Sequence, residues 1–187
     1  LTVLQDDARH TICADLFVNG NLYGSEIEYD FIDNKPKLCL GTDYVLLRQK
    51  VRNQSTETPP WRENPERAII IMGGSDIAEL TPPVVQAFDE FNVEVDTIVG
   101  PGCSKTHERD IRQTANECSA DVRVIRDPED LAERMFQADF AVSTASSTTY
   151  ELLALGTPII SIPVADNQAL IAQALRERDI AMVIDPK

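Results

Sequence analysis

The chain has few of the residues from which catalytic and metal sites are most often built. Its 187 residues include only two histidines, His10 and His107, and four cysteines that lack the CxxC spacing of zinc and redox sites. No apolar run approaches the roughly 20 residues that a membrane-spanning helix needs. The sequence therefore predicts free thiols, no metal, no cofactor, and a soluble protein of the cytoplasm.

Positive charge is also scarce. Lysine and arginine together number 17 against 31 aspartates and glutamates, so the formal net charge is -14. A field this negative argues against binding to nucleic acid or to an anionic membrane. An excess of carboxylates over lysines would suit a halophile with a salt-rich cytoplasm, and an ordinary acidic enzyme fits the same composition.

From residue 67 onward, strand-like and helix-like segments alternate. Parallel strands need a crossover, which a helix supplies, so the alternation predicts an α/β fold with a doubly wound, mainly parallel, Rossmann-like sheet. Thr81-Pro82 and Asp127-Pro128 each predict a helix start, with an N-cap followed by proline. The predicted strands are 68–72, 93–99, 122–125, 140–143, 159–163 and 181–184, with helices starting near 81, 106, 127, 148 and 167.

The first 52 residues do not follow this alternation. Residues 2–4 and 16–19 are typical of strands, which we expect a short polar turn to separate, and 44–51 fits a short helix or an extended link. Because the chain begins at Leu1, already within a strand pattern, we expect it to be a fragment. The expected parts are the tail of an upstream domain with a linker over 1–52, a polar Pro-containing loop over 53–66, and a C-terminal Rossmann-like domain over 67–187.

The loop after the first strand of the Rossmann-like domain reads Gly73-Gly74-Ser75-Asp76. Glycines allow a ligand to approach the backbone closely, and Ser75 has a hydroxyl for a phosphate oxygen. A strand-exit turn that needs a positive φ accounts for the glycines as well. Asp76 would repel a phosphate, so we expect it to cap a helix or to contact a hydroxyl.

Two further loops follow later strands. The first, Thr144-Ala145-Ser146-Ser147-Thr148, opens a helix whose unpaired N–H groups would attract phosphate, while Glu151 would accept hydrogen bonds from ribose. Thr148 and Glu151 also match a capping box, and this interpretation would satisfy both residues. The second loop, Asp166-Asn167-Gln168, is either a routine N-cap or an amide pair suited to a hydroxyl-rich sugar.

These loops, together with Gly41-Thr42-Asp43-Tyr44-Val45-Leu46-Leu47-Arg48, resemble motifs of a known family in their order and spacing. The chain resembles the pseudaminic-acid-pathway nucleotide-sugar hydrolases and related spore-coat polysaccharide proteins, and more distantly the MurG-type glycosyltransferases of the GT-B fold. The resemblance implies a two-domain enzyme whose C-terminal domain, residues 67–187 here, holds the UDP moiety of a UDP-sugar.

The resemblance also implies a role for individual residues. Near the diphosphate it places Gly73, Gly74, Ser75, Ser146, Ser147 and Thr148. Elsewhere it places Glu151 at the ribose, Asn167 and Gln168 at the sugar, Ile125 beside the base, and Tyr44 and Arg48 near the junction with the missing N-terminal domain.

Two departures from the family limit what the chain can do. The family has Gly-Gly where this chain has Ala145-Ser146, and the catalytic histidine of its Gly-x-Gly-His motif has no counterpart here. We therefore expect no catalytic residue in this chain, which would only bind, while the parent hydrolyses a nucleotide-sugar to UDP and a deoxy amino sugar. The alternatives are the donor-binding domain of a GT-B glycosyltransferase and a non-catalytic nucleotide-sensing or structural α/β module.

Overall fold

The structure, a computed structural model, describes residues 1–32 and 36–185. By its internal contacts the chain divides into two units, Leu1–Leu47 and Arg48–Lys187. The two are described separately below. The expected assignment of residues 1–52 to an upstream domain and a linker stays a prediction.

The smaller unit contains a three-stranded parallel sheet in the order β1-β2-β3, formed by Thr2–Leu4, Leu16–Asn19 and Lys37–Leu40. Phe17, on the middle strand, is fully buried and its ring lies 4.6 Å from that of Tyr29. The sequence located β1 and β2 but missed β3. The expected short turn between β1 and β2 is wrong, because parallel neighbours require a crossover.

The larger unit contains a six-stranded, entirely parallel sheet in the order β6-β5-β4-β7-β8-β9. Its strands are β4 Arg67–Ile71, β5 Glu94–Val99, β6 Asp121–Arg126, β7 Phe140–Ser143, β8 Ile159–Ser161 and β9 Met182–Val183. Its helices are α1 Gln49–Gln54, α2 Thr81–Gln86, α3 Lys105–Glu117, α4 Leu131–Gln137, α5 Ser147–Leu155 and α6 Ala169–Glu177.

The strand order confirms the predicted doubly wound α/β fold. From β4 the sheet grows through β5 and β6 in one direction and through β7, β8 and β9 in the other. Right-handed crossovers then require α2 and α3 on one face and α4, α5 and α6 on the opposite face. In agreement, α2 packs against α3 and α4 packs against α5. Among the described residues, no helix combines the length and apolar character needed to cross a bilayer.

Burial of β4 on both faces explains why its sequence is continuously apolar. Ala68, Ile69, Ile70 and Ile71 are all buried between the two helix layers. A central strand of a parallel sheet has no solvent-facing side, so its apolar residues do not alternate with polar ones. The predicted strand was therefore placed within one residue of the observed one.

Two helix starts differ from their predicted caps. Thr81 is the first residue of α2 and Leu80 is its N-cap residue, and the N–H groups of Leu80 and Thr81 donate to the carboxylate of Asp76 at 3.0 and 2.9 Å. Asp76 was expected either to cap a helix or to contact a hydroxyl, and its carboxylate accepts N–H groups at a helix start without being the N-cap residue. Helix α4 begins only at Leu131, so Asp127-Pro128 belongs to the preceding loop and does not open the helix.

Asp139 joins the amino ends of two central strands and supports a stability prediction. Its carboxylate, 6% exposed, accepts hydrogen bonds from the backbone N–H groups of Glu66 and Arg67 and from the guanidinium of Arg62. Burial alone would raise the pKa of Asp139, but these donors outweigh burial and leave the pKa below its ordinary value. The charged form is therefore the one that the folded state stabilises.

We expect Asp139→Asn to lower the free energy of unfolding by about 1–3 kcal/mol at pH 7, because the amide cannot accept every bond that the carboxylate accepts. A depressed folded pKa contributes stability above the unfolded value of about 3.9, and this contribution is lost as the pH falls through the folded value. Urea unfolding should show a smaller difference in the free energy of unfolding between wild type and Asp139→Asn at pH 3 than at pH 7. A difference that is constant with pH would contradict the assignment.

Candidate functional site

The strand order reverses between β4 and β7, which are neighbours in the sheet although the chain passes through β5 and β6 between them. In doubly wound sheets a crevice opens at this point, outside the carboxyl ends of the strands. The segments that leave the sheet here are the Gly73-Gly74-Ser75-Asp76 loop after β4 and the Thr144-Ala145-Ser146 loop after β7. The topology therefore brings two of the three predicted site loops side by side.

The two loops lie side by side where they leave the sheet. The N–H of Thr144 donates to the carbonyl of Ile71 at 3.4 Å, and a Cβ added at Gly73 would lie 3.7 Å from the Thr144 hydroxyl oxygen. Gly73 has a φ of 83°, a left-handed conformation that glycine adopts without strain. Gly74 and Ser75, by contrast, are exposed, and a Cβ added at Gly74 would meet no atom within 4 Å. The tip of this loop is open to a ligand.

Helix α5 begins at the crevice without a side-chain cap. Ser146 is its N-cap residue, in an extended conformation with φ of -129°, and makes no capping hydrogen bond. The capping box expected as an alternative for Thr148 and Glu151 is thus not formed. The first N–H groups of a helix have no acceptor in a preceding turn. Here the Thr149 N–H donates to the Ser146 carbonyl at 3.0 Å, and no side chain caps the N–H groups of Ser147 and Thr148. The helix presents its partially positive end to the crevice.

The carboxylate of Glu151 is instead held by Arg48. Arg48 Nε lies 2.6 Å from Oε1 and Nη2 lies 2.5 Å from Oε2, a bidentate ion pair. Glu151 is 8% exposed, and the hydrogen bonds to Glu151 raise the pKa of Arg48. A carboxylate has about four lone-pair sites, of which Arg48 occupies two. Two acceptor sites are left for other donors.

Asn167 and Gln168 lie in a 3-10 turn, Asp166–Gln168, between β8 and α6. Gln168 Oε1 accepts the N–H of Val164 at 2.9 Å, so the carbonyl of this side chain holds its own loop and its NH₂ group is left as a donor. Asn167 is exposed. Because β8 is the neighbour of β7, this turn lies at the same edge of the sheet as the other two loops.

Ile125 lies apart from these loops, and Tyr44 belongs to the smaller unit. Ile125 is half-buried on the edge strand β6, beside Ile98 of β5 and two strand positions from β4, which corresponds to about 10 Å. Tyr44 ends a 3-10 turn in the smaller unit and is 45% exposed. Arg48, predicted near a domain junction, lies in the larger unit with Glu151.

Sequence reasoning missed a fourth loop, Gly100-Pro101-Gly102 after β5, which packs against the Gly73-Gly74 turn. The Gly102 N–H donates to the Gly74 carbonyl at 2.9 Å, and a Cβ added at Gly100 would lie 2.6 Å from Gly74 Cα. The only local signal was the pair of glycines after a predicted strand. Cys103, which follows, is buried, and burial raises the pKa of its thiol, so it is poorly suited to act as a nucleophile.

The chain is similar in sequence and in fold to known proteins. No family model matches it. It is 22% identical over 171 residues to the spore coat polysaccharide biosynthesis protein SpsG of Bacillus subtilis (strain 168), covering 90% of this chain and 50% of SpsG. The chain is similar to SpsG along most of its own length.

Solved structures agree on the fold. Acinetobacter baumannii MurG superposes with a TM-score of 0.59 at 14% identity over 92% of this chain and 47% of MurG. The glycosyltransferase of kitacinnamycin gives a TM-score of 0.54 at 16% identity over 91% of this chain and 42% of that enzyme. The chain has a GT-B glycosyltransferase-like fold, and it spans about half the length of SpsG and of MurG.

The replacement of Gly-Gly by Ala145-Ser146 is compatible with the backbone of this chain. Neither residue has a positive φ, and Ser146 is extended. Ala145 is fully buried, so its methyl group is covered by protein, and the Ser146 hydroxyl accepts a hydrogen bond from the Thr144 hydroxyl at 3.2 Å. The loop therefore accommodates both side chains without strain.

Proposed function

We propose that the crevice between β4 and β7 binds the diphosphate of a UDP-sugar. The observation that carries the proposal is the uncapped N-terminus of α5, which opens at the topological switch point beside the exposed Gly74 and Ser75. Helix N-termini attract phosphate because their N–H groups are unpaired and carry partial positive charge. The hydroxyls of Ser75, Ser147 and Thr148 add donors, and Gly73 and Ser146 shape the two loops.

The remaining residues would bind the rest of the nucleotide-sugar. Glu151, fixed by Arg48, would accept hydrogen bonds from ribose hydroxyls through its two remaining acceptor sites. The NH₂ group of Gln168 and the exposed amide of Asn167 would contact the sugar. The base would extend toward β6 and Ile125. Tyr44 would contact the domain that the resemblance places upstream.

For the parent protein we propose hydrolysis of a nucleotide-sugar to UDP and a deoxy amino sugar, in the synthesis of a surface polysaccharide or sialic-acid-like sugar. SpsG is described as a spore coat polysaccharide biosynthesis protein, which supports this direction. Water would be activated by a group outside this chain, and the helix N-terminus would stabilise the leaving diphosphate. A cytoplasmic location and adaptation to high salt stay predictions.

A second candidate is the donor-binding domain of a glycosyltransferase, favoured by the two enzymes whose fold it shares. Both candidates need the same diphosphate site and differ in the acceptor, water or a hydroxyl. Incubating the full-length protein with a UDP-sugar distinguishes them, because only hydrolysis releases UDP and free sugar without an added acceptor.

Gly74→Ala tests the diphosphate site without disturbing the fold. Since a Cβ at Gly74 would meet no atom within 4 Å, the methyl group should leave the unfolding midpoint unchanged and occupy space that the diphosphate needs. We expect calorimetric titration to show UDP binding about tenfold weaker than in wild type, the effect of roughly 1.4 kcal/mol. Asn92→Ala, at the opposite edge of the sheet, should leave the affinity unchanged.

Two results would refute the proposed ligand site. One is the absence of heat and of thermal stabilisation at millimolar UDP, which favours a structural module or a different ligand. The other is unaltered UDP affinity in Gly74→Ala, which places the UDP elsewhere on the chain.

A further inference from the structure

A buried histidine and aspartate form a pair behind the Gly73-Gly74-Ser75 loop. His107 Nε2 lies 2.7 Å from Asp76 Oδ2, and the two residues are only 8% and 7% exposed. The carboxylate is an acceptor, so Nε2 carries the proton and donates. None of the contacts proposed for the UDP-sugar uses either residue. Their burial directly behind an exposed loop calls for a separate explanation.

Asp76 is held from two directions. Its carboxylate accepts hydrogen bonds from the N–H groups of Leu80 and Thr81, which fix Asp76 to the start of α2. The same carboxylate accepts a hydrogen bond from the ring of His107 in α3. Its φ of 46° is uncommon for a residue with a side chain and persists only where the surroundings enforce it. His107 is one of the three groups that enforce it.

His107 is itself fixed to the loop after β5. The backbone N–H of His107 donates to the hydroxyl of Ser104, the N-cap residue of α3, at 3.1 Å. From the same loop, the Gly102 N–H donates to the carbonyl of Gly74. The loop after β4 is therefore held at two points, by the loop after β5 through the backbone at Gly74 and by the first turn of α3 through the side chains of His107 and Asp76.

We infer that His107 is a positioning residue for the diphosphate-binding loop: through Asp76 it holds Gly74 and Ser75 in the conformation that faces the N-terminus of α5. This inference rests on the proposed function, since the ligand it serves is the UDP diphosphate. The loop is exposed at Gly74 and Ser75. Without the buried contact, part of its ordering would have to be supplied by the ligand, at a cost in affinity.

The test compares His107→Asn with His107→Gln. The glutamine side chain places an NH₂ group near the position of Nε2 and can still donate to Asp76, whereas asparagine is too short. His10→Gln, at an exposed position in the smaller unit, is the matched control. Two quantities are measured for each protein: UDP affinity by calorimetry, and amide hydrogen exchange of residues 73–81 without ligand.

For His107→Asn we expect about tenfold weaker UDP binding and exchange about tenfold faster at the Leu80 and Thr81 amides. His107→Gln should restore both toward wild type, and His10→Gln should change neither. Faster exchange with unchanged affinity would overturn the inference and make His107 purely structural. Unchanged exchange in both His107 variants would overturn it as well.

The two proposals can fail separately. If wild type does not bind UDP, the proposed function fails, and the positioning role for UDP fails with it; the exchange rates then still show whether His107 orders the loop. If wild type binds UDP and His107→Asn binds it equally well, only the inference about His107 fails. If His107→Asn does not fold, the comparison of His107→Gln with wild type decides, because retained affinity and exchange support the donor role.

Discussion

Gly100→Ala is expected to destabilise the larger unit by about 3 kcal/mol, near the upper end for overpacking. The new Cβ would lie 2.6 Å from Gly74 Cα and 2.7 Å from the Gly74 carbonyl carbon, both of which are backbone atoms. A backbone cannot rotate away as a flexible side chain can, so one of the two loops must move. For a chain of this length the midpoint of thermal unfolding should fall by roughly 6–12 °C.

Gly74→Ala is the matched control for Gly100→Ala, because it adds the same methyl group on the opposite side of the same contact. It should leave the midpoint of thermal unfolding unchanged while weakening UDP binding. The pair therefore separates stability from ligand affinity at one loop. Equal midpoints for Gly100→Ala and wild type would show that the loops after β4 and β5 are not in contact.

Glu151→Ala is expected to weaken UDP binding by about 1–3 kcal/mol, roughly 5- to 150-fold, the cost of leaving a buried polar partner without its hydrogen bonds. The effect on stability should be smaller, about 1 kcal/mol or less, because the Arg48 side chain is 54% exposed and exposed ion pairs contribute little. Calorimetric titration and urea unfolding measure the two effects independently.

Arg48→Ala provides the second half of a double-mutant cycle. If Arg48 orients Glu151 for ribose, the single variants should each lose affinity and the double variant should lose less than their sum. Additive losses would indicate that the two residues act independently. Unchanged UDP affinity in Glu151→Ala would remove the ribose role, and the ion pair would then be a link between α5 and the residue before α1.

The sequence predicted the strands of the larger unit because their apolar runs are local signals. Phe140–Ser143 was placed with its observed bounds, and the alternation with helices led to the parallel sheet. The strand order was not predictable from such signals, since pairing between β4 and β7 joins segments about 70 residues apart. β3 was missed because four residues, two of them exposed, carry little periodic signal.

The candidate site shows the same division between local and distant information. The glycines predicted the loop at Gly74. The small polar residues before an apolar segment predicted a helix start near Ser147. The partner of Glu151 is 103 residues away and the partner of Asp76 is 31 residues away, and no spacing rule links either pair. A capping box was the local explanation for Glu151, and an ion pair from a distant arginine replaced it.

The central claim is that the crevice between β4 and β7 is a nucleotide diphosphate site, and NMR titration of the ¹⁵N-labelled chain with UDP tests it most directly. The account predicts that amide shifts change most at residues 73–75 and 146–149, the two loops that meet at the switch point. Two results would contradict it. One is that no amide shift changes at millimolar UDP, and the other is that the changes concentrate in the ion-pair cluster at the amino ends of the strands, formed by Arg67, Glu94 and Arg123.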